Sequence, residues 1–473
     1  MVQGRRRARL RRPRADPGPD PGLHVRRSGG PPVSLKPAPD PERRAAALEA
    51  ARAYARERFA PKPFVPGETH IPASGKWFDE DEVAALVDAS LDFWLTAGRY
   101  ADAFEESLAQ RLGARFAFFV NSGSSANLLA LSALTAPELG ERALKPGDEV
   151  VVTAASFPTT VNPVVQNGMT PVLVDVEIPT YNATAAMVAE ALSPKTKAVM
   201  LAHTLGNPFE AAKLAALCAE KGLWLIEDCC DALGATHAGK PVSSFGDVGT
   251  FSFFPAHHIT TGEGGAVVTS KGALKRPLES FRDWGRDCWC PTGKDNTCGK
   301  RFGWTLGELP PGYDHKYTYS NLGYNLKATD MQAAVGTVQL GRLEGFVAAR
   351  RRNFEALFAG LKKHEEFLIL PKATAGSEPS WFGFPLTVRE TAPFPRERLT
   401  AFLEEAKVAT RLLFAGNIAR QPYFKHVAHR KVGDLARADQ VMRATFWVGV
   451  HPSIDAERVA YMLATFDRFF KAL

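Results

Sequence analysis

The sequence predicts an α/β protein in which helices pack on a mostly parallel sheet. Apolar runs of strand length alternate with helical stretches: ARFAFFV precedes SSANLLALSAL, DEVVVTAA precedes TTVNPVVQNG, and LAALCAEKG precedes LWLIED. Such alternation is typical of parallel strands joined by crossover helices. With 473 residues, of which 45% are hydrophobic, the chain is long enough to bury a core of this kind.

Composition divides the chain into four segments. Residues 1–40 form an Arg/Pro-rich arm that we predict to be disordered, because Pro and Gly interrupt any helical face. Residues 41–72 read as an Ala-rich helix followed by a proline-containing linker. Residues 73–340 carry the alternating pattern and predict the large domain, whereas the charged, helix-rich residues 341–473 predict a smaller C-terminal α+β domain.

The positive charge of the chain is concentrated at its N-terminus. The net charge is +7, but residues 1–44 hold twelve of the 58 Lys+Arg and four of the 51 Asp+Glu. The remaining 46 basic and 47 acidic groups give a net charge of −1, so a nucleic-acid partner is not expected for the folded part. Without a signal-peptide-like run or about eighteen consecutive apolar residues, we expect a cytoplasmic protein with no membrane partner.

Six cysteines lie in one mid-chain region, at Cys218, Cys229, Cys230, Cys288, Cys290 and Cys298. Because no secretory signal accompanies them, disulfides are not expected, and metal or redox chemistry is the alternative to examine.

Two strand ends carry candidate ligand-binding groups. Gly123, Ser124 and Ser125 follow a predicted strand and open a helix, where free amides and hydroxyls can hold a phosphate; a capping turn without a ligand would look the same. Asp228 ends the strand LWLIED at the edge where doubly wound folds bind ligands. It could hold a protonated pyridine nitrogen or simply cap the next helix.

A third motif, TFSFFPAHHITTGEGGAVVTS, contains Ser252, the pair His257–His258 and a Gly-rich turn at 262–265. In this order, the three motifs resemble the sugar aminotransferases of the DegT/DnrJ/EryC/StrS family, from roughly Ala73 to the C-terminus. The resemblance implies the pyridoxal-phosphate type-I fold, with Gly123, Ser124, Ser125, Asp228 and Ser252 at the cofactor.

One position departs from that family. The aminotransferases have a cofactor-binding lysine five residues after the serine, and this chain has His257. An imidazole cannot replace the lysine covalently, but it can take a proton from the aminomethyl carbon of pyridoxamine phosphate. The exchange therefore predicts elimination of a hydroxyl instead of amino transfer, with His257 as the catalytic base and His258 as a structural residue.

The cysteine spacing distinguishes two subgroups that share this exchange, one cluster-free and the other carrying a 2Fe-2S centre. Gaps of 57, 1 and 7 residues separate Cys230, Cys288, Cys290 and Cys298, and the pattern resembles the cluster ligands of CDP-4-keto-6-deoxyglucose 3-dehydrases and TDP-sugar 3-dehydrases. The resemblance implies a cluster-binding insertion near 284–316. Structural zinc is the competing interpretation, although its sites usually have CxxC pairs.

The resemblance assigns three further residues. Phe157 occupies the position of the aromatic that stacks on the cofactor ring, although a core Phe would also fit there. Asp231, where aminotransferases often have glutamine, is expected to face the ring hydroxyl. Asn325 matches the asparagine that reaches the cofactor phosphate of the neighbouring subunit, which implies a homodimer.

These features predict a dehydrase that uses pyridoxamine phosphate and a 2Fe-2S cluster to remove the 3-hydroxyl of a CDP- or TDP-linked 4-keto-6-deoxyhexose. A flavin/iron-sulfur reductase is the expected electron donor, and the product would enter lipopolysaccharide or another deoxysugar pathway. The alternatives are a sugar aminotransferase, a cluster-free dehydratase of the same fold, and a non-catalytic iron-sulfur sensor.

Overall fold

The part of the chain that the structure describes is residues 40–473 of a computed structural model. Nearly all of the predicted arm, 1–40, lies outside the described residues. Residues 46–473 form one unit. The predicted boundaries at 72/73 and 340/341 stay predictions, and the second of them falls inside a single long helix.

Within residues 40–473 the α-helices are α1 Pro41–Arg58, α2 Glu80–Leu91, α3 Arg99–Leu112, α4 Gly123–Ala133, α5 Pro158–Gln166, α6 Ala185–Ala191, α7 Ala211–Lys221, α8 Gly272–Arg282, α9 Asp330–Leu361, α10 Arg396–Glu405, α11 Ala436–Ala444 and α12 Ala456–Lys471. The strands are β1 Phe116–Val120, β2 Glu149–Thr153, β3 Thr170–Val174, β4 Thr196–Ala202, β5 Trp224–Asp228, β6 Thr236–His237, β7 Lys240–Pro241, β8 Val248–Ser252, β9 Gly265–Thr269, β10 Leu368–Ile369, β11 Ser377–Glu378, β12 Gly383–Val388, β13 Thr410–Leu412, β14 Arg430–Lys431 and β15 Thr445–Gly449.

The largest sheet has eight strands in the order β1-β9-β8-β5-β4-β2-β3-β14. Every neighbouring pair from β8 to β14 is parallel, and only the β1–β9 and β9–β8 pairs are antiparallel. All residues of β2 and β5 are buried. Burial on both faces explains why these strands read as continuous apolar runs, and the mostly parallel α/β sheet predicted from the sequence is confirmed.

A second sheet lies in the C-terminal part of the chain. It has four antiparallel strands in the order β10-β12-β15-β13. Its core contains Phe384 and Phe446 from the sheet, Leu357 from α9 and Phe466 from α12, all fully buried. The small β6, β7 and β11 strands form a third, antiparallel sheet.

The segment between α8 and α9 contains the last three cysteines. Residues 284–316 form turns, with neither an α-helix nor a strand among these described residues. Two contacts between side chains of opposite type link distant parts of this segment. Arg301 lies 2.6 Å from Asp314, and His315 lies 2.6 Å from Asp287. No helix in residues 40–473 has both the length and the apolar character needed to cross a membrane.

Candidate active site

A cavity of about 350 Å³ opens at the carboxyl ends of the central strands. The loops after β1, β2, β4, β5 and β8 all contribute to its wall, because parallel strands end at the same edge of a sheet. The C-terminal part of the chain adds Phe382, Arg411, Leu412, Phe414 and Trp447. Sequence patterns did not identify these five residues, since none belongs to a local motif.

The predicted phosphate turn lies at one side of this cavity. Ser122 caps helix α4, and its hydroxyl accepts a hydrogen bond of 3.0 Å from the amide of Ser125. Ser124 is exposed and lines the cavity together with Gly123 and Ser252. A Cβ on Gly123 would overlap the Cβ of Ser252, so only glycine allows the turn to approach the strand end so closely. A helix N-terminus with this access suits a phosphate.

Asp228 lies in the same cavity and is held by three donors. Its Oδ2 accepts hydrogen bonds from the Asn127 amide at 2.8 Å and from the Thr160 hydroxyl at 2.7 Å. Its Oδ1 accepts one from the backbone amide of Cys230 at 3.1 Å. These three hydrogen bonds fix the direction of the Asp228 side chain at the cavity wall.

The adjacent acid, Glu227, has a different role. It is fully buried and accepts hydrogen bonds from the backbone amides of Ser243, Phe245 and Gly246, and His203 lies 3.0 Å away. Glu227, His203 and Cys229 are close enough to surround an ion, but the carboxylate oxygens already have partners. We therefore assign this cluster a structural role, in which Glu227 links β5 to the 243–246 segment. Of the two acids, only Asp228 lines the cavity.

Phe157 lines the cavity and is 49% exposed. Its ring meets Phe414 edge-on at 6.2 Å. An aromatic side chain exposed inside a cavity is suited to stack on a planar ligand. Phe157 therefore lies in the cavity wall, and its stacking on a cofactor ring stays a prediction.

His257 lies in the cavity wall with Asp231 beside it. The two atoms His257 Nδ1 and Asp231 Oδ1 are 3.4 Å apart, and neither Nδ1 nor the other carboxylate oxygen of Asp231 has a hydrogen-bond partner in the described chain. His258 is buried away from the cavity, with its Nε2 2.8 Å from the carbonyl oxygen of Ser380. Of the two histidines, only His257 lines this cavity.

The structure brings three of the four candidate cluster cysteines near one another. The backbone amide of Cys290 points at Sγ of Cys288 at 3.5 Å, and both thiols interact with Cys298. Burial raises the pKa of Cys290, but hydrogen bonds from Thr297 and the Cys298 backbone outweigh it and lower the pKa to about 7. Four thiols would suit an iron-sulfur cluster.

Cys230, the fourth candidate, lines the cavity instead. Burial, together with the charge of Asp228, raises its pKa well above the usual value. The acids that act on it are Asp228 and Asp231, and its part in a cluster stays a prediction. Asn325 is exposed and does not line the cavity of its own chain, and its role in a neighbouring subunit also stays a prediction.

Comparison with known proteins identifies the family. Residues 77–467 match the DegT/DnrJ/EryC1/StrS aminotransferase family. The chain belongs to this family. Family membership agrees with a phosphate turn, a strand-end carboxylate and an exposed aromatic ring around one cavity.

Two relatives match most of the chain. The lipopolysaccharide biosynthesis protein RfbH of Salmonella typhimurium is 58% identical over 417 residues, 88% of this chain and 95% of the relative. The dTDP-4-dehydro-2,6-dideoxy-D-glucose 3-dehydratase of Saccharopolyspora spinosa is 53% identical over 422 residues, 89% of this chain and 91% of the relative.

Solved structures confirm the predicted fold class. The crystal structure of a GDP-4-keto-6-deoxymannose-3-dehydratase has a TM-score of 0.75 at 28% identity, covering 84% of this chain and 99% of the other. The Escherichia coli enzyme of that name, with bound hydrated pyridoxal phosphate, has the same TM-score and identity. The type-I aminotransferase-like fold is therefore established for this chain.

Proposed function

We propose that this chain is a nucleotide-sugar 3-dehydrase that uses pyridoxamine phosphate and removes the 3-hydroxyl of a 4-keto-6-deoxyhexose linked to CDP or TDP. The observation that carries the proposal is the cavity wall: within the described residues it contains His257 but no lysine. Without a lysine, the cavity has no side-chain amine that could form the covalent link to the cofactor on which an aminotransferase depends. The names of the two relatives above support deoxysugar or lipopolysaccharide biosynthesis as the context.

The cavity residues fit the cofactor. Pyridoxamine phosphate, when bound, supplies an amine that condenses with a ketone and a ring that accepts electrons. The N-terminus of α4 with Gly123 and Ser124 would hold the phosphate, Asp228 the ring nitrogen and Phe157 one ring face. His257 would take a proton from the aminomethyl carbon and donate a proton to the departing 3-hydroxyl, which leaves as water.

We further propose that Cys230, Cys288, Cys290 and Cys298 bind a 2Fe-2S cluster. The cluster would supply single electrons that a flavin/iron-sulfur reductase delivers. The close approach of Cys288 and Cys290 supports this proposal. We also propose a homodimer, in which Asn325 would act in the neighbouring site.

The first experiment measures iron, acid-labile sulfide and the visible spectrum of anaerobically reconstituted protein, before and after dithionite. About two irons and two sulfides per chain, with absorbance that bleaches, are expected for a 2Fe-2S site. Protein without iron, or with one colourless zinc, would instead favour a cluster-free dehydratase.

A second experiment addresses the reaction. Borohydride treatment should leave no covalent phosphopyridoxyl group on the protein, whereas an aminotransferase would be labelled. Replacing His257 by Asn should reduce solvent exchange at the aminomethyl carbon by about 10²-fold or more, since general-base catalysis contributes about that much. Exchange at the wild-type rate would remove His257 from the role of base. No turnover with several keto-sugars plus reductase would leave a sensor as the better interpretation.

A further inference from the structure

Arg350 is a buried arginine that the proposed chemistry does not yet use. It lies on α9 with 1% of its surface exposed. One guanidinium nitrogen, Nη1, donates to the carbonyl oxygens of Trp381 at 3.2 Å and Phe382 at 3.1 Å. The other, Nη2, donates to the carbonyl oxygen of His257 at 3.2 Å. Arg350 therefore joins the main chain of His257 to the entry of β12.

The hydrogen bonds of Arg350 do not explain why a charged side chain is buried at this position. All three described acceptors are neutral carbonyl groups, and Nε has no partner in the described chain. Burial lowers the pKa of Arg350 to about 10, with Asp231 acting in the opposite direction. A buried cation is costly, and apolar residues of similar volume often give equal or greater stability. Stability alone is thus a weak explanation for arginine here.

The surroundings of the guanidinium group explain the charge better. Asp231 is the acid that acts on Arg350, and this carboxylate also lies beside Nδ1 of His257. Two further imidazoles, those of His258 and His451, lie within the electrostatic influence of Arg350. Burial lowers the pKa of each, and the positive charge of Arg350 lowers it further. The imidazole of His257 therefore lies beside the carboxylate of Asp231, and the main chain of His257 contacts the buried guanidinium group of Arg350. The charges of Asp231 and Arg350 have opposite signs and attract each other.

We propose that Arg350 is a positioning residue for the dehydration step. It fixes the main chain of His257 through the carbonyl group, and its charge balances Asp231 next to the imidazole. His257 is thereby held at one distance from the reacting carbon and the leaving hydroxyl. The inference rests on the proposed function, because it assumes that His257 is the base.

The neighbouring residue provides a matched control. Arg351 also donates to main-chain carbonyls of the same loop, with Nε 2.9 Å from the oxygen of Pro379 and Nη2 3.2 Å from that of Glu378. Its side chain is 35% exposed and does not line the cavity. Arg351→Gln removes comparable hydrogen bonds without touching His257.

The test compares Arg350→Gln, Arg350→Lys and Arg351→Gln with the wild type in two measurements. Hydrogen–deuterium exchange of the 253–262 segment reports on the position of His257 and does not depend on activity. We expect faster exchange there in Arg350→Gln only. Steady-state turnover of cofactor-loaded protein should then show kcat falling about 10²-fold in Arg350→Gln, the usual effect of misplacing a catalytic group.

Two features separate positioning from a merely structural role. The KM for the nucleotide sugar should stay within about threefold of the wild-type value, since the substrate contacts are unchanged. Arg350→Lys, which keeps the charge, should recover most of the lost kcat. The inference is overturned if Arg350→Gln matches Arg351→Gln in both measurements, or if the lysine variant is as slow as the glutamine variant.

If Arg350→Gln does not fold, the lysine variant decides. A kcat within about tenfold of the wild type supports the inference, because lysine keeps both the charge and a donor for the carbonyl group of His257, and a larger loss with normal folding contradicts it. A wild-type protein without turnover would be a failure of the proposed function. Exchange of the 253–262 segment would still report whether Arg350 positions His257.

Discussion

Asn127 donates a hydrogen bond of 2.8 Å to Oδ2 of Asp228 across 101 positions of sequence. The same Asn127 accepts a hydrogen bond of 2.6 Å from the hydroxyl of Thr250 on β8. Asp228 is therefore oriented by a chain of side chains that extends into the neighbouring strand. Networks of this kind fix the direction of a carboxylate and make its replacement costly.

Replacing Asp228 with Asn should weaken binding of pyridoxamine phosphate. The amide has no negative charge for the ring nitrogen, and its NH₂ group would face the donors of Asn127 or Thr160. Loss of a hydrogen bond between the ring nitrogen and a charged partner costs about 1.5–3 kcal/mol, which corresponds to roughly 10- to 150-fold in affinity. Titration of the cofactor absorbance measures this loss.

Asp439→Asn is the control for that variant. Asp439 forms an ion pair of 2.8 Å with Arg420 and lies outside the cavity wall. Its replacement should leave cofactor affinity unchanged. Equal affinity of the Asp228 variant and the wild type would contradict the assignment of Asp228 to the ring nitrogen.

The sequence predicted some of these groups and could not predict others. Asp228 was found because a strand end marks the ligand edge of a parallel sheet. Asn127 and Thr160 lie in the predicted motifs, but nothing local shows that both converge on one oxygen. Arg350 stands in the run ARRRN, where Arg350, Arg351 and Arg352 look alike, and only packing shows that the first is buried.

Gly123→Ala should prevent tight binding of the cofactor phosphate. The added Cβ would overlap the side chain of Ser252, so the turn must move away from β8. We expect a loss of at least about tenfold in affinity for pyridoxamine phosphate, comparable to the loss of one or two hydrogen bonds to a charged group. Fluorescence titration with the cofactor measures it.

Gly341→Ala tests the specificity of that effect. A Cβ on Gly341, within α9, meets no atom within 4 Å. Alanine there should keep cofactor affinity and stabilise the helix by about 0.5–1 kcal/mol. If both glycine variants bind the cofactor normally, the phosphate does not lie at the turn before α4.

Cys290→Ser should lower the iron and sulfide content of the reconstituted protein. Cys290 has a pKa lowered to about 7 by its hydrogen bonds, which favours the thiolate that iron needs. Serine is a poor iron ligand, so we expect less than half of the wild-type iron. Cys218→Ala, which changes a buried core thiol, should retain it. Full iron content in the serine variant would exclude Cys290 as a ligand.

The ion pair between Glu149 and Arg430 should make stability depend on pH. The two side chains lie 2.7 Å apart and tie the edge strand β14 to β2. The hydrogen bond from Arg430 lowers the pKa of Glu149 from its usual 4.5. The carboxylate therefore contributes stability above pH 4.5, and this contribution is lost as the pH falls through the lowered pKa.

Glu149→Gln removes that dependence. We expect the variant to be about 1–2 kcal/mol less stable than the wild type near pH 7, a difference that shrinks toward pH 3. Urea unfolding at a series of pH values measures it. Glu220→Gln, which alters an exposed pair with Lys221, should show a much smaller difference at every pH. A gap between Glu149→Gln and the wild type that persists unchanged to pH 3 would mean that packing, and not charge, holds β14 in place.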